Sequence, residues 1–250
     1  MSIEHRFLFF PESHIYYTPD QFGLTYEDVS YRTEDGETIH AWYVTTSKDA
    51  PILIFCHGNA GNISHRLPNI RLLAEWGIST FIFDYRGFGK STGEITEEGM
   101  YQDALGAYRL LTKGRGVDPG RLVPFGRSMG GPVAVDLAAR VEAPCLVVES
   151  TFTRLEDLVT SVYPDMGLES ELTMVFDAES KIGTIGCPTL FIHGDSDDIV
   201  DYRLGRALFE RAKEPKRFYT IPGALHNDTF DVGGEEYFKT LTGFIMEYAG

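Results

Sequence analysis

Cysteine is scarce in this 250-residue chain, which has only Cys56, Cys145 and Cys187. An odd count without a Cys-x-x-Cys pair gives no support to a disulfide framework, a zinc site or a redox motif. Each cysteine lies in or beside an apolar run (ILIFC, CLVVES, CPTLFIHG), so all three are expected to be buried thiols in a reducing compartment. Basic charge is also in short supply: 22 Lys and Arg stand against 37 Asp and Glu, a formal net charge of −15. Such a surface repels phosphate backbones and anionic lipid, so neither nucleic acid nor a membrane is an expected partner. No apolar run approaches the ~18 residues of a membrane span. The N-terminal stretch from Phe7 to Phe10 is too short for the core of a signal peptide and runs into Pro11. A cytoplasmic location is therefore expected. No repeat, low-complexity tract or linker interrupts the chain, which reads as one domain over 1–250.

Present instead is a regular rhythm. Up to about Thr46, β-branched and aromatic residues flank the turn dipeptide Asp35-Gly36, which reads as an antiparallel hairpin. From Pro51 onward, short and continuously apolar strands alternate with helix-length segments. The strands are Ile52–Cys56, Thr80–Asp84, Arg121–Gly126, Cys145–Ser150, Thr189–Gly194 and Arg217–Gly223. Strands that are apolar throughout are buried on both faces, which implies a parallel sheet. Helices are expected near His65–Trp76, Glu97–Leu111, Met129–Val141, Asp201–Ala212 and Glu235–Tyr248. The alternation implies an α/β fold: a mostly parallel sheet with an N-terminal hairpin and helices on both faces. Pro124, inside a strand, suggests a bulge. The stretch 152–182 is longer than one crossover needs, and reads as a small helical lid over the strand ends.

The strongest chemical signal is Gly126-Arg127-Ser128-Met129-Gly130, after an apolar strand and before a helix. There, Gly-x-Ser-x-Gly forms a tight turn that holds the serine hydroxyl at the sheet's carboxyl edge beside a helix N-terminus. A serine hydroxyl needs a base. His226, in the loop after the last strand, is the best candidate. His57 and His193 each end a strand before glycine and suit a structural role. His5, His14 and His40 precede the parallel core, and His65 begins a helix. An imidazole needs a carboxylate to fix its tautomer. The loop His193-Gly-Asp195-Ser-Asp197-Asp198-Ile-Val-Asp201 is rich in them. Asp197 is chosen, with Asp195 and Asp198 as rivals, Glu149 as a further acid and Asp201 as a helix cap. Two N–H groups, of Asn59 and Met129, are expected to form an oxyanion hole. The loop His57-Gly-Asn-Ala-Gly-Asn62 lacks both Gly-x-Gly-x-x-Gly and a Walker lysine, so a nucleotide site is not supported. The glycine-rich loop Asp84–Gly93 reads as structural. Arg66, Arg86, Lys90 and Arg127 lie in or near these loops. They read either as surface and structural residues or as contacts for an anionic acyl group.

Taken in order, HGNAGN, DYRGFGKSTG, GRSMGG, HGDSDDIV and HND resemble the α/β-hydrolase superfamily, and within it the lid-poor serine esterases and thioesterases. The resemblance runs from about Ile39 to Phe244. It implies a Ser128–His226–Asp197 triad, oxyanion donors at Asn59 and Met129, no cofactor and no metal. It also implies a small acyl ester or thioester as substrate, with the oligomeric state left open. Asp201 stands where members often have proline, and Leu225 where many have glycine. The membrane anchor or palmitoylated cysteine cluster of eukaryotic relatives has no counterpart here, which sets membrane lipids apart from the expected substrates. A peptidase, acyltransferase or perhydrolase would use the same triad. A non-catalytic ligand-binding protein on this scaffold is the reading from a different class.

Overall fold

Eight strands form one sheet in the computed structural model, which describes residues 3–249. In chain order they are β1 (Tyr26–Arg32), β2 (Thr38–Val44), β3 (Ile52–Cys56), β4 (Ser79–Phe83), β5 (Leu122–Arg127), β6 (Leu146–Glu149), β7 (Thr189–Gly194) and β8 (Lys216–Ile221). Across the sheet they run β8-β7-β6-β5-β3-β4-β2-β1. Strand β2 is antiparallel to both of its neighbours, and all the other pairs are parallel. The Asp35-Gly36 turn therefore makes the expected hairpin between β1 and β2, with Gly36 at φ 98°.

The period-two alternation within the apolar strands builds two cores rather than one. Ile52, Ile54, Phe81, Phe83, Leu146 and Val148 face one side of the sheet. They pack there against α3 (Glu97–Arg109) and α4 (Gly130–Arg140), through residues such as Met100, Ala104, Val133 and Leu137. Leu53, Phe55, Ile82, Val123, Val147 and Leu190 face the other side. They meet α2 (Leu67–Glu75) and α8 (Thr229–Ala249), whose Ile70, Leu73, Leu241 and Ile245 are fully buried. Each large apolar side chain so enclosed contributes roughly 1.5–3 kcal/mol. The three cysteines are unpaired, with Cys56 buried in β3, Cys145 buried just before β6 and Cys187 partly buried. No helix among the described residues is long and apolar enough to cross a membrane.

The bulge expected at Pro124 does not form. The register from Ile52↔Leu122 to Cys56↔Gly126 is continuous through it. Pairing with β6 begins only at Phe125, one residue beyond the proline, so its missing N–H interrupts neither ladder. Residues 152–182 hold α5 (Leu155–Val162), a short 3₁₀ turn (Leu168–Glu171) and α6 (Ala178–Ile182). The sequence reading did not include α1 (Ile3–Phe7). After α1, Phe10 and Pro11 pair with Ala60 and Gly61 in a two-residue bridge that lies against the loop following β3.

Candidate active site

The chain leaves β3 toward β4 on one side, then returns across β3 to β5 on the other. A crevice opens at the carboxyl ends of strands where such a reversal occurs. Gly58 and Asn59 follow β3 and Ser128 follows β5, so both border this crevice.

The turn at Ser128 is as tight as its glycines suggest. Ser128 sits at φ 55°, in the left-handed region that costs a non-glycine residue about 1–3 kcal/mol. Three hydrogen bonds hold it there. Its N–H donates to Glu149 O (2.9 Å), and its carbonyl accepts from Gly131 N–H (2.9 Å) and the Thr151 hydroxyl (2.9 Å). A Cβ on Gly130 would lie 1.9 Å from Cys56 O, and one on Gly126 would lie 2.3 Å from Gly130 O. Both obstacles are backbone and cannot swing aside. Gly130→Ala is expected to cost about 3 kcal/mol or more, lowering the melting temperature by roughly 6–12 °C. A thermal melt checks this, and an unchanged midpoint would mean that α4 does not press on β3 this closely.

Ser128 Oγ lies 3.0 Å from His226 Nε2. His226 Nδ1 lies 2.9 and 3.0 Å from the two oxygens of Asp197. Ser128 and His226 are 8% and 5% exposed, and the Asp197 side chain is fully enclosed, so little water competes for these contacts. Asp197 Oδ1 accepts the N–H groups of Ile199 (3.0 Å) and Val200 (2.8 Å). Burial by itself would raise this carboxyl. Hydrogen bonds from His193 and His226, the His226 charge and the Ile199 N–H outweigh burial and hold it well below the usual carboxylate range. It stays an anion at any pH at which a histidine base works.

The rival acids do other things. Asp195 accepts from Gly223 N–H (2.7 Å), Asp198 from His226 N–H (3.2 Å), and Asp201 caps α7 (Tyr202–Arg211) through Arg203 N–H (2.8 Å). Glu149 is buried behind the serine turn and binds the hydroxyls of Thr229 and Tyr237, both at 2.6 Å. Arg127 spans from Glu149 (3.2 Å) to the carbonyl of His226 (2.6 Å), tying the histidine loop to the serine turn. His193, read from sequence as structural only, reaches Asp197 Oδ2 at 3.2 Å and the Val200 carbonyl at 3.0 Å. The signal was its spacing: it stands four residues before the acid, at the end of β7.

Asn59 and Met129 both line the cleft beside Ser128, and neither main-chain N–H donates to a protein acceptor among the described residues. The N-terminal segment braces Asn59, whose carbonyl accepts from Phe10 N–H (2.9 Å) and whose amide donates to Leu8 O (2.5 Å). The Asp84 loop stays outside the cleft, with the buried Asp84 carboxylate accepting from Ile63 N–H (2.9 Å). Arg86 also lies outside, bound to Asp35 (2.7 Å) and Asp103 (2.8 Å), and Lys90 is not among the lining residues. Arg66 and Arg127 do line it. The cleft is about 390 Å³, near the small end of ligand sites. Its apolar walls come from Phe7, Leu8 and Phe10 of the N-terminal segment and from Leu158, Val162 and Tyr163 of the α5 region, and the Tyr163 hydroxyl joins the two by donating to the Phe7 carbonyl (3.3 Å).

Known proteins share this architecture. The sequence model of the serine aminopeptidase S33 family matches residues 47–173 and 164–232. An uncharacterised protein of Mycobacterium tuberculosis is 34% identical over 250 residues, spanning 99% of this chain and 89% of its own. Bem46 of Schizosaccharomyces pombe is 33% identical, spanning 92% of this chain and 80% of its own. Among solved structures, the Pyrococcus furiosus esterase Pf2001 superposes with a TM-score of 0.81 at 23% identity, over 98% of each chain.

Proposed function

We propose, from the premise that this chain belongs to the serine aminopeptidase S33 family of α/β-hydrolases, that it cleaves carboxylic esters or thioesters through an acyl-enzyme. The observation that carries this reading is the 3.0 Å approach of Ser128 Oγ to His226 Nε2, with no other side chain hydrogen-bonded to that hydroxyl among the described residues. The Ser128 oxygen attacks the acyl carbon as His226 Nε2 takes its proton. Asp197 holds the ring with Nδ1 protonated, which keeps Nε2 free to accept. The tetrahedral oxyanion is held by the N–H groups of Asn59 and Met129, and α4 adds the positive end of its dipole. The imidazolium then gives its proton to the departing alcohol or thiol. A water deprotonated by His226 releases the acid and restores the serine.

The lining also bears on the choice between ester and peptide. An aminopeptidase must hold a cationic α-amino group, which calls for a carboxylate in the cleft. Among the described residues none lines this one, where the cationic side chains are Arg66 and Arg127. A volume of about 390 Å³ suits a short or medium acyl chain. A panel of 4-nitrophenyl esters and acyl thioesters graded by chain length, run beside aminoacyl 4-nitroanilides, tests this. Turnover is expected for esters or thioesters, peaking at short to medium chains. Cleavage of the anilides alone would overturn the choice.

A further inference from the structure

One cation at the cleft has no ion-pair contact among the described residues. Arg66 lines the cleft beside the Asn59 loop, and its guanidinium donates to the carbonyl of Ala60 at 2.5 Å. Its Nε is shut off from solvent and has no hydrogen-bond partner. Arg66 forms no ion pair among the described residues, whereas Arg127 has Glu149 at 3.2 Å. The two guanidiniums repel each other. Burial first, and then the charge of Arg127, push Arg66 down to about 10, which leaves it cationic at neutral pH. The buried Asp84 carboxylate offsets part of the cost of enclosing this cation, from a distance and with no ion-pair contact, and an anionic ligand in the cleft would offset it directly. The chain as a whole carries −15, so this local excess of positive charge runs against the composition.

We propose that the ester cleaved at Ser128 carries an oxyanion group, a carboxylate or a phosphate, which Arg66 binds at the Asn59 side of the cleft. This rests on the ester reading above and narrows its substrate class. Two oxygens of such a group meet the terminal nitrogens of the guanidinium, in the paired geometry that arginine offers and lysine does not. Arg127 adds to the local field while its own hydrogen bonds stay with the histidine loop. The apolar walls at Phe7, Leu8, Leu158 and Val162 take the uncharged part of the molecule.

Matched substrate pairs test this. One pair is the 4-nitrophenyl monoester of adipic acid against its methyl-capped diester. The other is 1-butyrylglycerol 3-phosphate against 1-butyrylglycerol. The ratio of kcat/KM, anionic over neutral, is expected to be about 10–100 for at least one pair, the worth of a hydrogen bond to a charged group. Whichever pair shows the larger ratio identifies carboxylate or phosphate. The ratio is expected to fall toward one in Arg66→Gln, chiefly through KM, and to recover in part in Arg66→Lys. In the unaltered protein it is expected to shrink as salt rises from 0.02 to 0.5 M, by about the loss that screening imposes on a part-exposed ion pair. If Arg66→Gln does not fold, the preference and salt response of the unaltered protein still decide. Neutral esters cleaved as well as anionic ones, or a ratio unchanged in folded Arg66→Gln, would overturn this inference and leave the ester reading standing. No turnover of any ester, together with no labelling of Ser128 by a fluorophosphonate, would overturn the ester reading and this inference with it.

Discussion

Ser128→Ala is expected to lower kcat for a short-chain 4-nitrophenyl ester by roughly four to six orders of magnitude. The substitution removes one oxygen. The Cβ stays, so the backbone at φ 55° is no more strained than before, and the three hydrogen bonds that hold the turn all use main-chain atoms of residue 128. The melting temperature is therefore expected to stay close to that of the parent chain. Stopped assays with active-site-titrated enzyme, paired with a thermal melt, check both halves. Turnover within tenfold of the parent would mean that another group attacks the ester.

Asp197→Asn is expected to cost about 10⁴-fold in kcat with little change in KM. The surroundings dictate how the amide must sit. Oδ1 accepts two main-chain N–H groups, from Ile199 and Val200, so the amide oxygen is pinned at that position. The NH₂ group is then turned toward His226 Nδ1 and His193 Nε2. It can only donate, and with the amide oxygen already taken by two N–H groups, the arrangement favours His226 with Nδ1 as the acceptor and its proton on Nε2. That nitrogen faces the Ser128 hydroxyl and can no longer take its proton. The geometry survives while the tautomer is wrong. Steady-state kinetics at neutral pH read the loss, and a loss below about tenfold would show that Asp197 does not set the tautomer.

Much of this was legible in the residues themselves. The strand Ile52–Cys56 is apolar at every position, and the fold buries all five. Thr189–Gly194 matches its expected bounds, and Thr80–Asp84 is displaced by one residue to Ser79–Phe83. The last helix was expected from Glu235. It begins at Thr229 but breaks at Gly234, φ 51°, so the expected start marks the point where regular geometry resumes. Ser128, His226 and Asp197 announce themselves because each follows a strand in a loop of distinctive composition. What stayed hidden depends on which distant segments meet. The run of Phe7 to Phe10 says only that it is apolar, and nothing local reveals that it packs beside the Asn59 loop and walls the cleft. Arg86 and Arg66 look alike in sequence. One is consumed by Asp35 and Asp103, from β1–β2 and α3, and the other is left facing the cleft.

The most direct measurement is peptide mapping by mass spectrometry after exposure of the native protein to a fluorophosphonate. One adduct is expected, on the peptide containing GRSMGG, with its mass on Ser128, and prior heat denaturation should prevent it. An adduct on a different side chain, or an unmodified Ser128 in protein that still cleaves esters, would contradict the assignment of the nucleophile.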